Sequence, residues 1–370
     1  MKNCIFHIPY KLDPNAKAAP MLRPRKMIEA FEANGYHVDV ISGFSDERME
    51  LIKKVKTKIL DGVEYDFMYA ESSTMPMLLS DPGHMPTHPF LDFDFFGFVK
   101  KHGIRIGLFY RDVYWKFDVY KNALPCWKYM PAIACYKYEL KQYGKYLDRL
   151  YIPTEKFYDY IKMPAFDEKV STLPPGCECI ASEIAVEDDR DFSTEPLKIF
   201  YVGGLGEQYQ IKELLIAVKE TENCEITVCC RQEEWKNEES KLLDAMCDRV
   251  KIVHKSGDEL KAEYEKADIC SLLFKPDLYR QLAMPYKAFE YLANLKPVIA
   301  SEETAIGDFV EKNNIGWTIE YSAEEIKKLL GNVMKNNNAL VEKKTNCIKA
   351  RANNLWTCRA KQVEEELKVD

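Results

Sequence analysis

Short apolar segments alternate with helical segments through the second half of the chain, and this alternation limits the possible folds more than any other feature. Leu197–Val202, Glu225–Cys230 and Ile269–Phe274 are predicted strands, with helices predicted between them. Strands that alternate with helices build a parallel sheet covered by helices. The first half repeats the pattern less regularly, beginning with a strand at Asn3–Ile8. The sequence therefore predicts an α/β protein.

Length and composition indicate two globular domains. A chain of 370 residues exceeds what one hydrophobic core usually holds. No apolar run reaches the ~20 residues of a membrane span, and the first apolar stretch, Cys4–Ile8, ends at Pro9 without a signal-peptide pattern. The twelve cysteines contain no Cys-x-x-Cys pair, so we expect reduced, structural thiols and no zinc site. These features favour a cytoplasmic protein.

The charge of the chain argues against nucleic acid as a partner. The formal net charge is -7, and the acidic excess lies in the second half. A protein that follows a phosphate backbone needs a stripe of lysine and arginine. The sequence has no such stripe, so we expect no nucleic-acid binding.

The segment Met284–Ser301 carries the strongest functional signal. Pro285 can open a helix, because its missing N–H would be unpaired there. Lys287 and Glu290 are three residues apart and so share one helix face. Free N–H groups and a lysine suit a diphosphate, whereas a carboxylate suits the hydroxyls of a ribose. An ordinary amphipathic helix with an exposed charge pair is the alternative.

Four further patterns stand out together along the chain. They are Tyr201–Leu205, Pro285–Ala300, Leu173–Gly176, and Asn354–Trp356 with Arg359. These motifs resemble those of glycosyltransferase family four, whose members have the GT-B fold. The resemblance implies two Rossmann-like domains that face each other across a cleft, and a C-terminal helix that crosses back to the first domain. It predicts an acceptor-binding domain at 1–175, a donor-binding domain at 176–345 and a crossover helix at 346–370.

The resemblance also implies a function. It predicts transfer of a hexose, with retention, from a nucleotide-diphosphate sugar to a glycan or lipid-linked acceptor in surface polysaccharide or glycoconjugate synthesis. The donor is a substrate, and neither a cofactor nor a metal is expected. Glu290 falls on the carboxylate that holds the donor ribose, and Gly203 and Gly204 fall on the loop that approaches the diphosphate. A nucleotide-sugar epimerase or hydrolase of the same fold, or a non-catalytic partner subunit, remains as an alternative.

The chain departs from the family pattern where the diphosphate should bind. Leu282 stands in place of the usual glutamate, and Gly204 in place of the usual arginine. Tyr209 or Gln210 stands where a lysine is expected. Other groups must then neutralise the negative charge of the diphosphate. The candidates are Lys287, Arg231, Arg280 and the N–H groups near Met284 and Pro285.

Two polar groups in the first half are further candidates. Asp112 follows the predicted strand Ile104–Tyr110 and would orient the acceptor hydroxyl or act as its base. Its alternative is a local structural pair with Arg111. The run Arg23–Lys26 opens the first predicted helix, where cations oppose the helix dipole. That run indicates either a nearby anionic ligand or a solvated basic turn.

The segment 114–160 mixes aromatic residues with lysines, a composition typical of membrane surfaces. Tyrosine and tryptophan suit the lipid interface, and lysines suit anionic lipid. We therefore predict peripheral contact with the inner face of the cytoplasmic membrane. The alternative is a helix that packs its aromatic residues inside the first domain.

Overall fold

The chain folds into two compact units in the computed structural model, which describes residues 2–13, 19–180, 190–206 and 209–368. Unit 1 comprises Met1–Gly176 and Trp356–Asp370, and unit 2 comprises Cys177–Leu355. Residues 346–355, predicted to begin the crossover helix, therefore belong to unit 2. No helix within the described ranges combines the length and the apolar character needed to cross a bilayer.

Unit 1 is built on a six-stranded parallel sheet. Every residue of its third strand is buried, as expected for a strand covered by helices on both faces. The strands are β1 (Lys2–His7), β2 (Tyr36–Ile41), β3 (Phe67–Glu71), β4 (Arg105–Phe109), β5 (Arg149–Ile152) and β6 (Val170–Thr172). Their order in the sheet is β2-β1-β3-β4-β5-β6.

The first helix of unit 1 begins earlier than predicted. It starts at Ala19, so Pro24 lies inside it. Arg23–Lys26, predicted to open this helix, therefore lies in its interior, although proline is more common at the first helical position. The prediction of cations at this N-terminus is wrong. The helices are α1 (Ala19–Ala33), α2 (Ser45–Leu60), α3 (Leu91–Lys101), α4 (Asp118–Ala123) and α5 (Cys126–Tyr146).

Asp92, in the first turn of α3, joins three elements of unit 1. Arg48 of α2 donates from Nε and Nη2 to its carboxylate at 2.9 and 2.8 Å. His7 Nε2, at the end of β1, lies 2.8 Å from Asp92 Oδ1. Burial opposes ionisation of this carboxyl group, but His7 and Arg48 together lower the pKa of Asp92 to about 2. This buried network fixes α2 and α3 against β1.

Unit 2 repeats the architecture with a second six-stranded parallel sheet. Its strands are β7 (Leu197–Val202), β8 (Cys224–Cys229), β9 (Val250–Val253), β10 (Ile269–Leu272), β11 (Val298–Ser301) and β12 (Gly316–Ile319). Their order is β12-β11-β10-β7-β8-β9. From β7 the chain adds β8 and β9 on one side. It then returns to the other side of β7 and adds β10, β11 and β12 in turn. This reversal creates a topological switch point between β7 and β10.

Within the described part of unit 2, seven α-helices connect or follow these strands. They are α6 (Lys212–Lys219), α7 (Gln232–Leu242), α8 (Lys261–Lys266), α9 (Tyr286–Ala293), α10 (Ala305–Asn313), α11 (Ala323–Lys335) and α12 (Asn337–Ala352). The two ends of the unit meet, because the Cys177 N–H donates to the Asn354 carbonyl at 2.8 Å. Cys177 and Leu355 form a parallel bridge there.

The last helix, α13 (Trp356–Leu367), returns to unit 1 as predicted. The Asn34 amide at the end of α1 donates to the Thr357 carbonyl at 3.0 Å. Gly176 is required at this junction, because a Cβ atom on it would lie 2.8 Å from the Trp356 backbone. The motif Leu173–Gly176 therefore ends at the point where its last residue packs against Trp356, the first residue of α13.

Candidate active site

The strongest candidate site lies at the switch point of unit 2, where β7 and β10 separate. These two strands pair at only two positions, Ile269 with Ile199 and Cys270 with Phe200. Because the sheet is parallel, the segments after β7, β8 and β10 all leave from its carboxyl edge. Ligands of such sheets bind outside this edge, beside the switch point.

Tyr291 of α9 fills the space where the two strands part. Its hydroxyl accepts the Val202 N–H at 3.2 Å and donates to the Ser271 carbonyl at 3.4 Å. The side chain is fully buried, and burial raises its pKa well above the usual value. The neutral hydroxyl can therefore serve both partners, so α9 is held against β7 and β10 together.

The first turn of α9 follows the loop that leaves β10. Pro285 is the residue just before the helix, in an extended conformation with φ -69° and ψ 133°. The Pro285 side chain makes no capping hydrogen bond to the helix. Met284, Pro285 and Lys287 are only half-buried. The start of this helix is therefore accessible from solvent, and the start of a helix is electrostatically suited to an anion.

Lys287 and Glu290 lie together on α9, as their spacing predicts. Lys287 Nζ is 2.5 Å from Glu290 Oε2, and the two side chains are 33% and 28% exposed. Tyr264 of α8 donates its hydroxyl to the same carboxylate oxygen at 3.2 Å. Glu290 is thus neither buried in the core nor fully solvated. Tyr264 could not be predicted from local patterns, because only the packing of α8 beside α9 brings its hydroxyl to Glu290.

The glycine loop after β7 is shaped by a buried tyrosine. Tyr201 donates its hydroxyl to the Gly204 carbonyl at 2.6 Å. A Cβ atom on Gly203 would lie 2.8 Å from that hydroxyl oxygen. On Gly204 it would lie 3.1 Å from the ring of Tyr209. Glycine at both positions therefore lets the loop lie close to these two rings.

Arg231, predicted to bind the donor, forms an ion pair with Glu234 on the same helix turn. Its Nη1 lies 2.9 Å from Glu234 Oε1, and its side chain is 85% exposed. The other oxygen of Glu234 accepts the Leu205 N–H at 3.3 Å. A carboxylate thus stands between Arg231 and the glycine loop. In this conformation Arg231 neutralises Glu234.

Arg280 takes a different position, above the loops that follow β7 and β10. Its guanidinium carbon lies 4.7 Å from the ring centre of Tyr209 and 4.3 Å from that of Phe274. The Arg280 N–H donates to Asp277 Oδ1 at 2.7 Å. Its carbonyl accepts the Ala305 N–H at 3.0 Å. Two aromatic rings and two backbone hydrogen bonds therefore fix this cation at the switch point.

Asp112 lies at the carboxyl edge of the sheet of unit 1, just beyond β4. Its Oδ1 accepts the Tyr114 N–H at 2.8 Å, which orders the following turn. Arg111, proposed as its structural partner, instead donates to Glu71 Oε2 at 3.1 Å and to the Tyr10 hydroxyl at 2.6 Å. The side chain of Asp112 is half-buried.

Arg23 is part of the network around Glu71 and is not a solvated basic residue. It is 5% exposed, and its Nε lies 3.2 Å from Glu71 Oε1. Its Nη2 donates to the Leu173 carbonyl at 3.1 Å, and its guanidinium lies 3.6 Å from the ring centre of Phe109. These contacts give Arg23 a structural role between α1, β3 and the segment after β6.

The segment 114–160 divides into an internal and an exposed set of apolar side chains. Trp115 and Tyr136 are buried and stack at 4.8 Å. By contrast, Val119, Trp127 and Met130 are 53%, 72% and 60% exposed. Trp115 and Tyr136 belong to the core of unit 1 and cannot contact a membrane. Val119, Trp127 and Met130 remain accessible for such a contact.

Comparison with known proteins links the candidate site to one family. Residues 274–355 match the family described as glucosyltransferase 3-like, C-terminal domain. This range begins with the segment that carries Arg280 and includes Met284, Pro285, Lys287 and Glu290. No curated protein sequence matches the chain.

Solved structures match over nearly the whole chain. HepE from Anabaena, in complex with UDP, aligns with a TM-score of 0.63 and 10% identity over 99% of each chain. Sucrose-phosphate synthase from Thermosynechococcus elongatus aligns with a TM-score of 0.61 and 14% identity over 98% of each chain. WaaG, a glycosyltransferase involved in lipopolysaccharide biosynthesis, aligns with a TM-score of 0.55 and 13% identity over 98% of this chain and 99% of its own. The chain therefore has the two-domain GT-B fold and resembles the glycosyltransferases that share it.

Proposed function

We propose that the chain is a glycosyltransferase that moves a hexose from a nucleoside-diphosphate sugar to a glycan or lipid-linked acceptor, with retention. The observation that carries this proposal is the position of Lys287 and Glu290 together beside the half-buried start of α9, in the unit whose sheet contains the switch point. The family match at 274–355 includes this junction. HepE, which was also solved with UDP-glucose, makes a UDP-hexose the first donor to test.

In this proposal each group at the junction has a distinct task. Glu290 binds the ribose hydroxyls, and the first N–H groups of α9 bind the diphosphate. When the donor binds, Lys287 turns from Glu290 to a phosphate oxygen. The cations and N–H donors already supply positive charge, so we propose that transfer needs no metal ion and survives chelation by EDTA.

The reaction exchanges one bond of the anomeric carbon for another. The bond to the β-phosphate oxygen breaks, and its electron pair stays on the phosphate. The acceptor oxygen forms the new bond and loses its proton to a carboxylate, for which Asp112 is our candidate. Fixed donors aimed at the developing phosphate charge lower the barrier, and the loss of one such donor typically slows a reaction by ~10²–10³-fold.

We also propose that unit 1 contacts anionic lipid at the inner face of the cytoplasmic membrane through Val119, Trp127 and Met130. Lys128 lies beside this set, with its Nζ 5.0 Å from the ring centre of Trp127. An exposed tryptophan next to a lysine suits the boundary between acyl chains and anionic headgroups. The membrane surface would then supply a lipid-linked acceptor in the cytoplasm.

Calorimetry with UDP, GDP, ADP and TDP tests the donor part of this proposal. We expect one of the four to bind, and the matching radiolabelled sugar nucleotide to be hydrolysed slowly without an acceptor. Addition of a membrane extract should then transfer the label to lipid or glycan. Fast turnover without any acceptor would instead indicate an epimerase or hydrolase.

One observation favours a second candidate function, a non-catalytic partner subunit. Leu282 occupies the position of the usual family glutamate and is buried, with 3% exposure. A buried leucine cannot bind a polar donor. If none of the four diphosphates binds, the glycosyltransferase proposal fails and the partner subunit becomes the better explanation.

A further inference from the structure

We propose that Arg111 binds an anionic group of the acceptor, a carboxylate or a phosphate, at a second switch point in the sheet of unit 1. This inference rests on the proposed function, because it names the chemical class of the acceptor in that reaction. All the contacts that carry it lie within unit 1.

Strands β1 and β3 part at the carboxyl edge of this sheet. Their pairing ends at His7 and Ala70. Beyond that pair, the Ile8 N–H donates to β2 at 2.9 Å, whereas the Ser72 N–H donates to β4 at 3.0 Å. The strand order β2-β1-β3-β4 makes this gap a topological switch point. Ligands of parallel sheets bind beside such a gap.

The guanidinium of Arg111 spans the gap between β1 and β3. Its Nη2 donates to the Tyr10 hydroxyl at 2.6 Å on the β1 side, and to Oε2 of Glu71, the last residue of β3, at 3.1 Å. The Arg111 backbone N–H donates to Ser72 Oγ at 3.0 Å. Both side-chain bonds use Nη2, so no acceptor among the described residues is bound to Nε or Nη1. The side chain is 12% exposed, so a ligand can reach these N–H groups from solvent.

The cluster around Glu71 holds two cations and one carboxylate. Glu71 is fully buried, and its Oε1 lies 3.2 Å from Nε of Arg23, on the opposite side from Arg111. Within the described residues, Nη1 of Arg23 is buried without a hydrogen-bond partner. The Tyr10 hydroxyl adds no negative charge, because burial raises its pKa to about 12. One carboxylate cannot neutralise both guanidinium groups, and an unbalanced buried charge is costly. An anion at Arg111 would offset this excess.

The chemistry of the free N–H groups indicates which acceptors fit. Guanidinium donors bind carboxylate and phosphate oxygens more strongly than neutral hydroxyls. A neutral sugar would therefore leave the excess charge in place. Asp112, our candidate base, directly follows Arg111 in the loop after β4. One loop would thus bind the anionic group of the acceptor and accept the proton of its reacting hydroxyl.

Thermal unfolding of the full-length protein tests the anion site, with the donor site saturated by the diphosphate that calorimetry identifies. Inorganic phosphate and glucuronate, compared with chloride at equal ionic strength, should raise the melting temperature, because a ligand of the folded state stabilises it. Arg111→Met should lose most of this rise, and Arg111→Lys should keep part of it. Arg105→Met removes an exposed arginine at the other end of β4. This matched control should respond like the wild type.

Transfer to the membrane extract tests whether the anion belongs to the acceptor. The labelled product, once freed of donor, should bind to an anion exchanger. Arg111→Met should raise the apparent KM for the extract about 10- to 100-fold, with partial recovery in Arg111→Lys. Carbodiimide coupling to methylamine neutralises carboxylates and spares phosphates. Loss of acceptor activity after this treatment would identify a carboxylate, and its survival would identify a phosphate.

The opposite results overturn the assignment and leave the proposed function standing. These are equal melting-temperature rises in the wild type and Arg111→Met, or a neutral labelled product. A lower kcat at unchanged KM, without recovery in Arg111→Lys, would reveal a merely structural role and also overturn it. The charge of the wild-type product decides the matter if Arg111→Met does not fold. If the wild type binds none of the four diphosphates, the proposed function fails, and this inference fails with it.

Discussion

The hydroxyl oxygen of Tyr291 lies 3.2 Å from the backbone nitrogen of Val202, at the place where β7 loses its partner β10. At this place a side chain of α9, the helix that carries the candidate site, accepts the hydrogen bond in place of a neighbouring strand. The position of Lys287 and Glu290 therefore depends on a residue that lies beneath them and would not touch a ligand.

Replacement of Tyr291 by phenylalanine should destabilise the protein, because the buried Val202 N–H would lose its acceptor. A buried donor without a partner typically costs about 1–3 kcal/mol, which a urea unfolding curve can measure. Tyr143→Phe is the matched control, since the Tyr143 hydroxyl is buried without a hydrogen-bond partner among the described residues. We expect that variant to be as stable as the wild type or more so. Equal losses in both variants would contradict the bridging role.

Replacement of Glu290 by alanine should greatly slow sugar transfer while the protein stays folded. Loss of a charged hydrogen-bonding group typically costs about 1.5–3 kcal/mol, so kcat/KM should fall by at least about 10-fold. Circular dichroism would check the fold, and Glu311→Ala, an exposed carboxylate on α10, would control for lost charge. Full activity in Glu290→Ala would refute the assignment of this site.

Replacement of Asp112 by asparagine should slow transfer without weakening donor binding. Asparagine retains an oxygen for the Tyr114 N–H but cannot accept the acceptor proton, and the loss of a general base costs ~10²–10⁴-fold in rate. Single-turnover transfer measures the rate, and calorimetry with UDP measures binding. Asp118→Asn at the exposed start of α4 is the control. An unchanged rate would remove Asp112 from the mechanism.

Anionic vesicles should bind the protein through the exposed face of unit 1. Sedimentation with phosphatidylcholine and phosphatidylglycerol vesicles should recover less of the double variant Trp127→Ala, Lys128→Ala than of the wild type. One lysine contributes ~1 kcal/mol at such a surface, and the tryptophan adds apolar contact. The pair Lys236→Ala, Leu243→Ala, exposed in unit 2, should bind like the wild type. Equal recovery of all three proteins would contradict membrane contact at this face.

The stability of the protein should fall between about pH 4.5 and pH 8 because of Glu139. Burial raises the pKa of this carboxyl group from 4.5 to about 8, although the N–H groups of Met77 and Leu78 oppose the shift. In this window the folded state holds a proton that the unfolded state releases, so the free energy of unfolding decreases as the pH rises. Glu139→Gln never ionises and should lack this contribution.

Urea unfolding at pH 5 and pH 8 would reveal the effect of Glu139. The stability of Glu139→Gln relative to the wild type should increase from the lower to the higher pH. A constant difference between the two proteins would show that Glu139 does not titrate in this range. The comparison between variants removes the contributions of the other titrating groups, which both proteins share.

The sequence predicted those parts of the candidate site that depend on local patterns. Spacing along one helix placed Lys287 beside Glu290, and the alternation of strands and helices placed the segments after β7, β8 and β10 at one edge. Tyr264 was missed because its contact with Glu290 arises from packing between two helices that are separated along the chain. The start of α1 was misplaced because the helix begins at Ala19 and continues through Pro24, although proline usually disrupts a helix interior.

The bridge between Cys177 and Leu355 has a consequence for the modular organisation of the protein. Since unit 2 enters and leaves at one point, it is an insertion with adjacent ends inside the chain of unit 1. Excision of 177–355 would leave two ends that a short linker can rejoin, and a foreign module with equally close ends would fit the same junction. Unit 2 is therefore organised as a self-contained insert whose entry and exit coincide.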